Sequence, residues 1–529
     1  MQKNNFRYIK TSVLTLLLAA FSMQSCDKDV TELSPFDRIT EQLAFSSPAR
    51  VELSMVGVYD AAQSGFYAGG QVRGYPFGAA AVAQGDMRGE DMLNVAAFYA
   101  ITYEATYNTA TANNVYMWHT LYGMINKANI IIDGVKSAAT GGIITPAAAA
   151  AYEGEARFLR ALAHHELLVH FARPYKHTAD ASHQGVPYRT VAVNTAAALE
   201  SEVQKGRNTV AECYNLLLED LNFAEANLPE TRGTASLKIS RATKAAAIAL
   251  KNRILLHKGD FNGVITEGEK LLETKTGAHD LEASPEGAFA NNSGNKESIF
   301  SIENAATDNS GVNGALPVMY SIAPGRALVA ISPIMYNNPA WVASDLRRTL
   351  LVKEAGNGFF SNKYRKITTQ DDWTPILRLA EVALNTAEAY SRTGNTAKAL
   401  DLLNKVRNRA VTDAALQFDG STFASAKELT AAILMERRIE FLGEGRRWSD
   451  IHRLATDADF NTGGIPSKVA FGNTTKASWG FGLAYDNGVY TGSRTITNKP
   501  YDAFQFIWPI PLDELNTNEV LKGQQNPGY

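Results

Sequence analysis

Residues 376–409, ILRLAEVALNTAEAYSRTGNTAKALDLLNKVRNR, carry two apolar-periodic stretches on either side of Thr393-Gly394-Asn395. Apolar side chains recur three and four positions apart through 376–392 and again through 396–409, which predicts a helix in each. Glycine can take the left-handed conformation that ends the first helix, and asparagine can start the second. So short a turn forces the helices to lie antiparallel. Ala387, Tyr390, Gly394, Ala399 and Leu403 stand at the spacing of a tetratricopeptide unit, small where the helices cross and larger beside the crossing. Such a hairpin leaves an apolar face that only a neighbouring hairpin buries.

Beyond this hairpin the same periodicity recurs over 41–59, 115–135, 147–171, 209–228, 242–258, 261–272 and 427–442. Lys258-Gly259-Asp260 makes a second minimal turn, with a weaker repeat match around it. The expected fold is therefore mainly α: a degenerate, tetratricopeptide-like helical-repeat scaffold over about 41–60, 115–273 and 375–456. Three stretches rich in Gly, Asn, Tyr and Pro interrupt it, at about 61–114, 274–374 and 457–529. Irregular stretches of this length in a compact protein are usually functional or disordered, and their aromatic content argues against disorder. They predict an inserted, loop-rich subdomain facing ligand or partner.

Charge excludes some functions. Fifty-one Lys and Arg stand against 54 Asp and Glu in 529 residues, so no overall field attracts nucleic acid or anionic lipid. Only Cys26 and Cys213 are present, which gives neither a disulfide framework nor a zinc cluster. Cys213 falls inside a helical pattern and reads as a buried thiol.

Cys26 belongs to a different context. Lys3, Arg7 and Lys10 precede a short apolar run over 13–21, the order of a secretory signal, and the run is too short to span a bilayer. Met23-Gln24-Ser25-Cys26 resembles a lipobox; the alternative is an ordinary cleaved signal with an incidental cysteine. The expectation is a signal peptide over 1–25, lipidation of Cys26, attachment to the membrane through that anchor alone, and a polar tether over 26–40. Asp27, Lys28 and Asp29 resemble the acidic export signal of surface lipoproteins in Bacteroidetes.

Several separated segments stand in one recognisable order. They begin with Trp118, Leu121, Tyr122, Ile125, Asn126, Ala128 and Asn129, then Gly154-Glu155-Ala156-Arg157-Phe158-Leu159-Arg160-Ala161-Leu162 and Gly185-Val186-Pro187. Asn295-Lys296-Glu297-Ser298-Ile299-Phe300, the 376–381 and 387–389 stretches, 403–410 and 436–441 continue the series. Gly443-Glu444-Gly445-Arg446-Arg447-Trp448-Ser449-Asp450, Trp508-Pro509-Ile510-Pro511 and Gln525-Asn526-Pro527-Gly528-Tyr529 complete it. Together these resemble the SusD/RagB family over nearly the whole mature chain. The resemblance implies helix pairs carrying a loop-rich subdomain, and a non-enzymatic role as a surface lid over a SusC-like TonB-dependent transporter. It implies glycan or, in some members, peptide as ligand, with no cofactor.

Individual residues allow other chemistry. Glu436, Arg437, Arg438, Glu440, Glu444, Arg446 and Arg447 could serve acid–base work, but their spacing suits ion pairs along packed helices. His164, His165 and His170 lack the four-residue interval of a zinc helix and read as packing or surface histidines. Asp86, Glu90 and Asp91 lack the spacing of a calcium loop and read as a solvated acidic turn. Gly65, Gly69, Gly70 and Gly74 lack a following Lys-Ser or Lys-Thr and read as turn residues. No metal is expected.

Aromatic rings in the irregular stretches offer area for the apolar faces of sugars, with polar neighbours supplying selection. Tyr67, Tyr75, Phe77, Tyr99, Tyr103, Tyr107, Tyr320, Tyr336 and Trp341 are such rings, and Arg73, Asp86, Arg88 and Arg326 such neighbours. The candidate ligand site is Arg73, Tyr75, Asp86, Arg88, Tyr99, Tyr320, Tyr336 and Trp341, the alternative being that these rings anchor their own loops. Trp479, Phe481, Tyr485 and Tyr490 are candidates for meeting the transporter or covering the scaffold. The rival functions are a glycan hydrolase and a repeat scaffold gripping protein partners in an open groove.

Overall fold

Gly394 and Gly259 sit at φ +88° and +77°, the left-handed region that closes a helix without a Cβ clash. Immediately after each, a side chain restarts the chain: Asn395 Oδ1 accepts from the Lys398 N–H at 3.2 Å, and Asp260 Oδ1 from the Gly263 N–H at 3.0 Å. The two hairpins are therefore as the turn chemistry requires.

The computed structural model describes residues 41–65, 70–355, 358–470 and 490–529. The predicted signal peptide, Cys26 and the tether lie outside the described residues, as do Tyr67, Gly69, Trp479, Phe481 and Tyr485. The chain divides after Ser54 into two units. The described part of the first holds the helix Glu41–Ala44 and the beginning of Pro48–Gln63. The second runs from Met55 to Tyr529 and holds every later element.

Among the described residues, eleven helices of eight residues or more are α1 Pro48–Gln63, α2 Ala79–Met87, α3 Ala112–Thr140, α4 Pro146–Phe171, α5 Val210–Asn227, α6 Lys244–Lys258, α7 Phe261–Leu272, α8 Leu379–Arg392, α9 Thr396–Arg407, α10 Ala426–Glu440 and α11 Arg446–Arg453. From α3 to α9 each packs on the next, and α10 packs on α8 and α9, which is the stacked-pair scaffold. Ala380, Ala383, Ala387 and Ala399 line the α8–α9 crossing, with Leu403, Val406 and Ile433 filling the space beside them. Cys213 on α5 is buried, with Sγ 3.4 Å from the Val186 carbonyl.

Strands β1 Met92–Asn94, β2 Ser298–Ile302, β3 Val329–Ile331, β4 Val352–Ala355, β5 Gly358–Ser361 and β6 Thr374–Arg378 come from the stretches that looked irregular, β6 at the end of the second. Four make an antiparallel sheet in the order β1-β3-β5-β4, and β2 pairs with β6. Their shortness hides them. Apart from β4, every residue in them is buried, so the polar–apolar alternation that marks a half-exposed strand is missing. For the same reason the predicted helix start at 376 is corrected. Ile376, Leu377 and Arg378 finish β6, and the chain turns helical at Leu379.

The sheet has its own core, in which Met87, Tyr99, Tyr103, Tyr320, Met335 and Trp341 pack on the inner strands. At its border α2 crosses the start of α11 so closely that a Cβ on Gly85 would stand 2.1 Å from the Gly445 carbonyl oxygen. Only glycine fits there.

Candidate functional site

Six of the eight candidate ligand residues are interior. Tyr75, Asp86, Arg88, Tyr99, Tyr320 and Trp341 are each at most 2% exposed, so they present no surface to a solute. Phe77, Tyr103 and Tyr107 are buried as well. Tyr336 is half-buried, stacked on Phe359 at 3.9 Å, and the Arg348 guanidinium lies 4.7 Å from its ring and 4.3 Å from that of Trp341. Tyr490 is half-buried against the sheet core. The aromatic richness of these stretches thus builds a second hydrophobic core, and the expectation of a ligand surface made of these rings is corrected accordingly.

Polar candidates are equally committed. Burial pushes the Asp86 carboxyl up to about 7, against hydrogen bonds from the Tyr320 hydroxyl at 2.7 Å and the Gly445 N–H at 2.9 Å. Arg88 has its guanidinium carbon 3.4 Å from the Trp448 ring and 5.2 Å from Trp508, and burial lowers its pKa to about 10. It therefore clamps together the Gly443–Asp450 and Trp508–Pro511 motifs. Glu90 and Asp91 are not a solvated turn: Arg438 and Arg447 hold Glu90 at 2.9 and 2.7 Å, and Arg438 also holds Asp91.

The acid–base constellation is scaffold, but its partners lie across elements rather than along one helix. Arg378 of β6 meets Glu440 at 3.1 Å, Glu444 at 2.8 Å and Glu297. Arg347 meets Asp345 at 2.7 Å, Glu436 at 2.6 Å and Glu440 at 3.0 Å; Lys363 meets Glu444 at 2.6 Å. Burial alone would raise the Glu440 carboxyl, yet Arg409, Arg378 and Arg347 hold it well below the usual carboxylate range. A carboxylate so surrounded has no proton to give at neutral pH. His164, His165 and His170 are buried, and burial pushes all three well below the usual histidine value. Among the described residues no group of three or more His, Cys, Asp or Glu is arranged to hold a metal ion.

Earlier motif residues tie loops down. Asn126 pairs with the Val193 backbone in both directions, Asn129 Nδ2 donates to the Arg189 and Val191 carbonyls, and the Tyr122 hydroxyl donates to the Pro187 carbonyl at 2.9 Å.

Exposed chemistry on the sheet subdomain collects elsewhere. Phe98, in a one-turn helix Ala97–Tyr99, is 38% exposed, its ring held edge-on to buried Tyr99 at 5.0 Å. Half-buried Arg73 and exposed Arg326 bring guanidinium carbons to 5.9 and 5.4 Å from the Phe98 ring centre. Three separate segments meet here, fastened by the Ala79 N–H donating to the Gly314 carbonyl at 2.9 Å and by Arg326 donating to Asn313 Oδ1 at 2.5 Å. A cleft of about 480 Å³ opens between Ser321, Ala323, Lys353, Asn362 and Arg365. Of the eight candidates only Arg73 belongs to this exposed group. Nothing in the sequence distinguishes Phe98 from Tyr99 beside it; only its exposure singles it out.

Residues 350–529 match the SusD family, and residues 49–256 match a family described as starch-binding associating with outer membrane. SusD-like protein P38 of Formosa agariphila is 22% identical over 499 residues, 84% of this chain and 92% of that protein. SusD-like protein P2 of the same organism is 25% identical over 397 residues, 65% of this chain and 70% of that one. A SusD superfamily protein of Bacteroides fragilis has the same fold at a TM-score of 0.73 and 26% identity, covering 90% of this chain and 99% of the other. Surface glycan-binding protein A of Bacteroides uniformis shares the fold at 0.67 and 20% identity, over 91% and 99%.

Proposed function

Because the chain belongs to the SusD/RagB family, we propose that it is a cell-surface lipoprotein that captures an oligosaccharide or polysaccharide without cleaving it and delivers it to a SusC-like TonB-dependent transporter. The site rests on one observation, the exposed Phe98 ring between Arg73 and Arg326, on a subdomain whose other large rings are nearly all interior. An exposed ring offers an apolar face to a sugar, and the guanidinium groups offer fixed donors to its oxygens. The reading as a binder is supported by Glu436, Glu440 and Glu444, which are held against arginines inside the scaffold. Lipidation at Cys26 supplies the tether, and affinity must allow release as well as capture.

The test has three readouts on the full chain. Palmitate labelling in cells should be lost in Cys26→Ser, a TonB-dependent transporter should co-purify from the outer membrane, and a glycan array should return ligands that a peptide panel does not. Retention on peptides alone, with no glycan bound, contradicts the proposal.

A further inference from the structure

A cavity of about 260 Å³ lies between α1, the short helix Ala235–Ser240 and the stretch that follows β2, all of its lining residues belonging to the second unit. Val56, Tyr59, Leu237 and Ile302 give it apolar walls, and Asp60, Glu303 and Asp308 are exposed residues that line it with carboxylates. Independently of the Phe98 surface, we infer that this cavity docks a basic segment of a partner protein: one bulky apolar side chain enters it, and flanking lysines or arginines meet the carboxylates.

Val56 and Leu237 are 42% and 40% exposed, so two separate elements offer hydrocarbon to water at one cavity. Single exposed apolar side chains are ordinary, but a shared apolar concavity with a polar rim fits an interaction site. The charge beside it is one-sided. The Glu303 and Asp308 carboxylates have no cation partner among the described residues, and Asp60 has exposed Lys127 at 4.0 Å, a pair too long and too solvated to contribute much. Arg241, the cation that lines the cavity, is buried and already paired with Glu155 at 2.6 Å. Inside the scaffold, by contrast, Glu388, Glu440 and Glu444 each meet arginine. Gathering like charges costs free energy, and a cationic partner relieves it while fixing its own register.

The rim is built before any partner arrives. Gln63 Nε2 donates to the Glu303 and Asp308 carbonyls at 2.9 and 3.0 Å, the Ser310 hydroxyl donates to the Gln63 carbonyl at 3.1 Å, and Ala305 and Asp308 pair as an antiparallel bridge. A turn fastened this way to α1 has little freedom left to lose on binding. The same bonds use up donors that a sugar would need: the Gln63 amide serves the two carbonyls, and the Tyr59 hydroxyl and Arg241 serve Glu155. The volume also falls below the roughly 300–1,000 Å³ of small-molecule sites and suits a single side chain.

Fluorescence anisotropy on the full chain in detergent tests this with a labelled nonapeptide carrying one leucine between two pairs of lysines. Two control peptides replace the leucine by alanine or the lysines by glutamates. The parent should bind the first peptide at least about tenfold tighter than either control, with an affinity that falls as salt rises. Glu303→Gln combined with Asp308→Asn should weaken that binding about tenfold and flatten its salt dependence. Leu237→Lys should remove it. All three positions are exposed, so both variants should keep the parent's melting temperature. No binding of the leucine–lysine peptide, equal affinity for all three peptides, or parental affinity in both variants overturns the inference. So does maltotetraose bound in a Leu237-dependent way, or a dimer that Leu237→Lys dissolves, in place of peptide binding.

Discussion

The Tyr320 hydroxyl donates to Asp86 Oδ2 at 2.7 Å, so two side chains that the sequence offered to a ligand satisfy each other inside the protein. The other carboxylate oxygen takes the Gly445 N–H at 2.9 Å, fastening the sheet subdomain to the start of α11. Tyr320→Phe should therefore cost about 1–3 kcal/mol of stability, the usual consequence of leaving a buried acceptor short of a partner. Chemical denaturation checks it, and an unchanged midpoint contradicts it.

Asp86 also sets a pH dependence. Its folded pKa of about 7 exceeds the ordinary 3.8, so the proton it holds contributes stability that is complete below about 3.8 and disappears as pH rises through about 7. Asp86→Asn lacks that loss. The variant's stability relative to the parent should improve from about pH 5 to about pH 8 in matched urea titrations; parallel profiles would count against the burial of this carboxyl.

Buried histidines act in the opposite sense. Burial, then nearby Arg253, lowers His165 to about 3, and burial lowers His452 to about 3. Above about 6.5 neither folded nor unfolded chain binds these protons; between about 6.5 and 3 only the unfolded chain does, so stability falls as pH drops. His165 has no hydrogen bond to lose and packs edge-on against His257 at 4.7 Å. His165→Phe should flatten part of this decline, and an unaltered slope from about pH 6.5 to about pH 5 would show that the ring already reaches solvent.

Ring truncations separate core from surface. Trp341→Ala and Tyr99→Ala should each destabilise by about 3–5 kcal/mol, since both are 1% exposed. Phe98→Ala should stay within about 1 kcal/mol. Scanning calorimetry of the three variants gives the comparison, and a Phe98→Ala melting temperature as low as that of Trp341→Ala would make Phe98 a core residue.

The ionic scaffold predicts a similar contrast. Arg378→Met leaves Glu297, Glu440 and Glu444 short of their shared cation in the interior and should cost about 3–5 kcal/mol. Lys405→Met removes only an exposed pair with Asp401 at 2.7 Å and should cost about 0.5 kcal/mol or less. Urea titration of both variants measures the difference, and equal losses would contradict it.

These contrasts mark what was legible in the sequence. The helix pairs were, because Gly259-Asp260 and Gly394-Asn395 carry turn chemistry that acts locally. The motif blocks were recognisable, but their role was not: Glu440 finds Arg347, Arg378 and Arg409 through tertiary packing that no spacing along α10 reveals. Strands of three to five fully buried residues carry no alternation, so the sheet and the core beneath it passed for loops. With the sheet unseen, Tyr99, Tyr320 and Trp341 looked like surface rings, and Phe98, beside Tyr99, had nothing to distinguish it.

The role proposed for this protein turns on its holding an intact sugar against Phe98. Titrating purified oligosaccharide into parent and Phe98→Ala chains, then sizing the recovered sugar by chromatography, measures that step alone. Saturable binding to the parent, its loss in the variant at equal melting temperature, and sugar returned at its original length are expected. Shortened sugar, or a variant that binds as well as its parent, would contradict it.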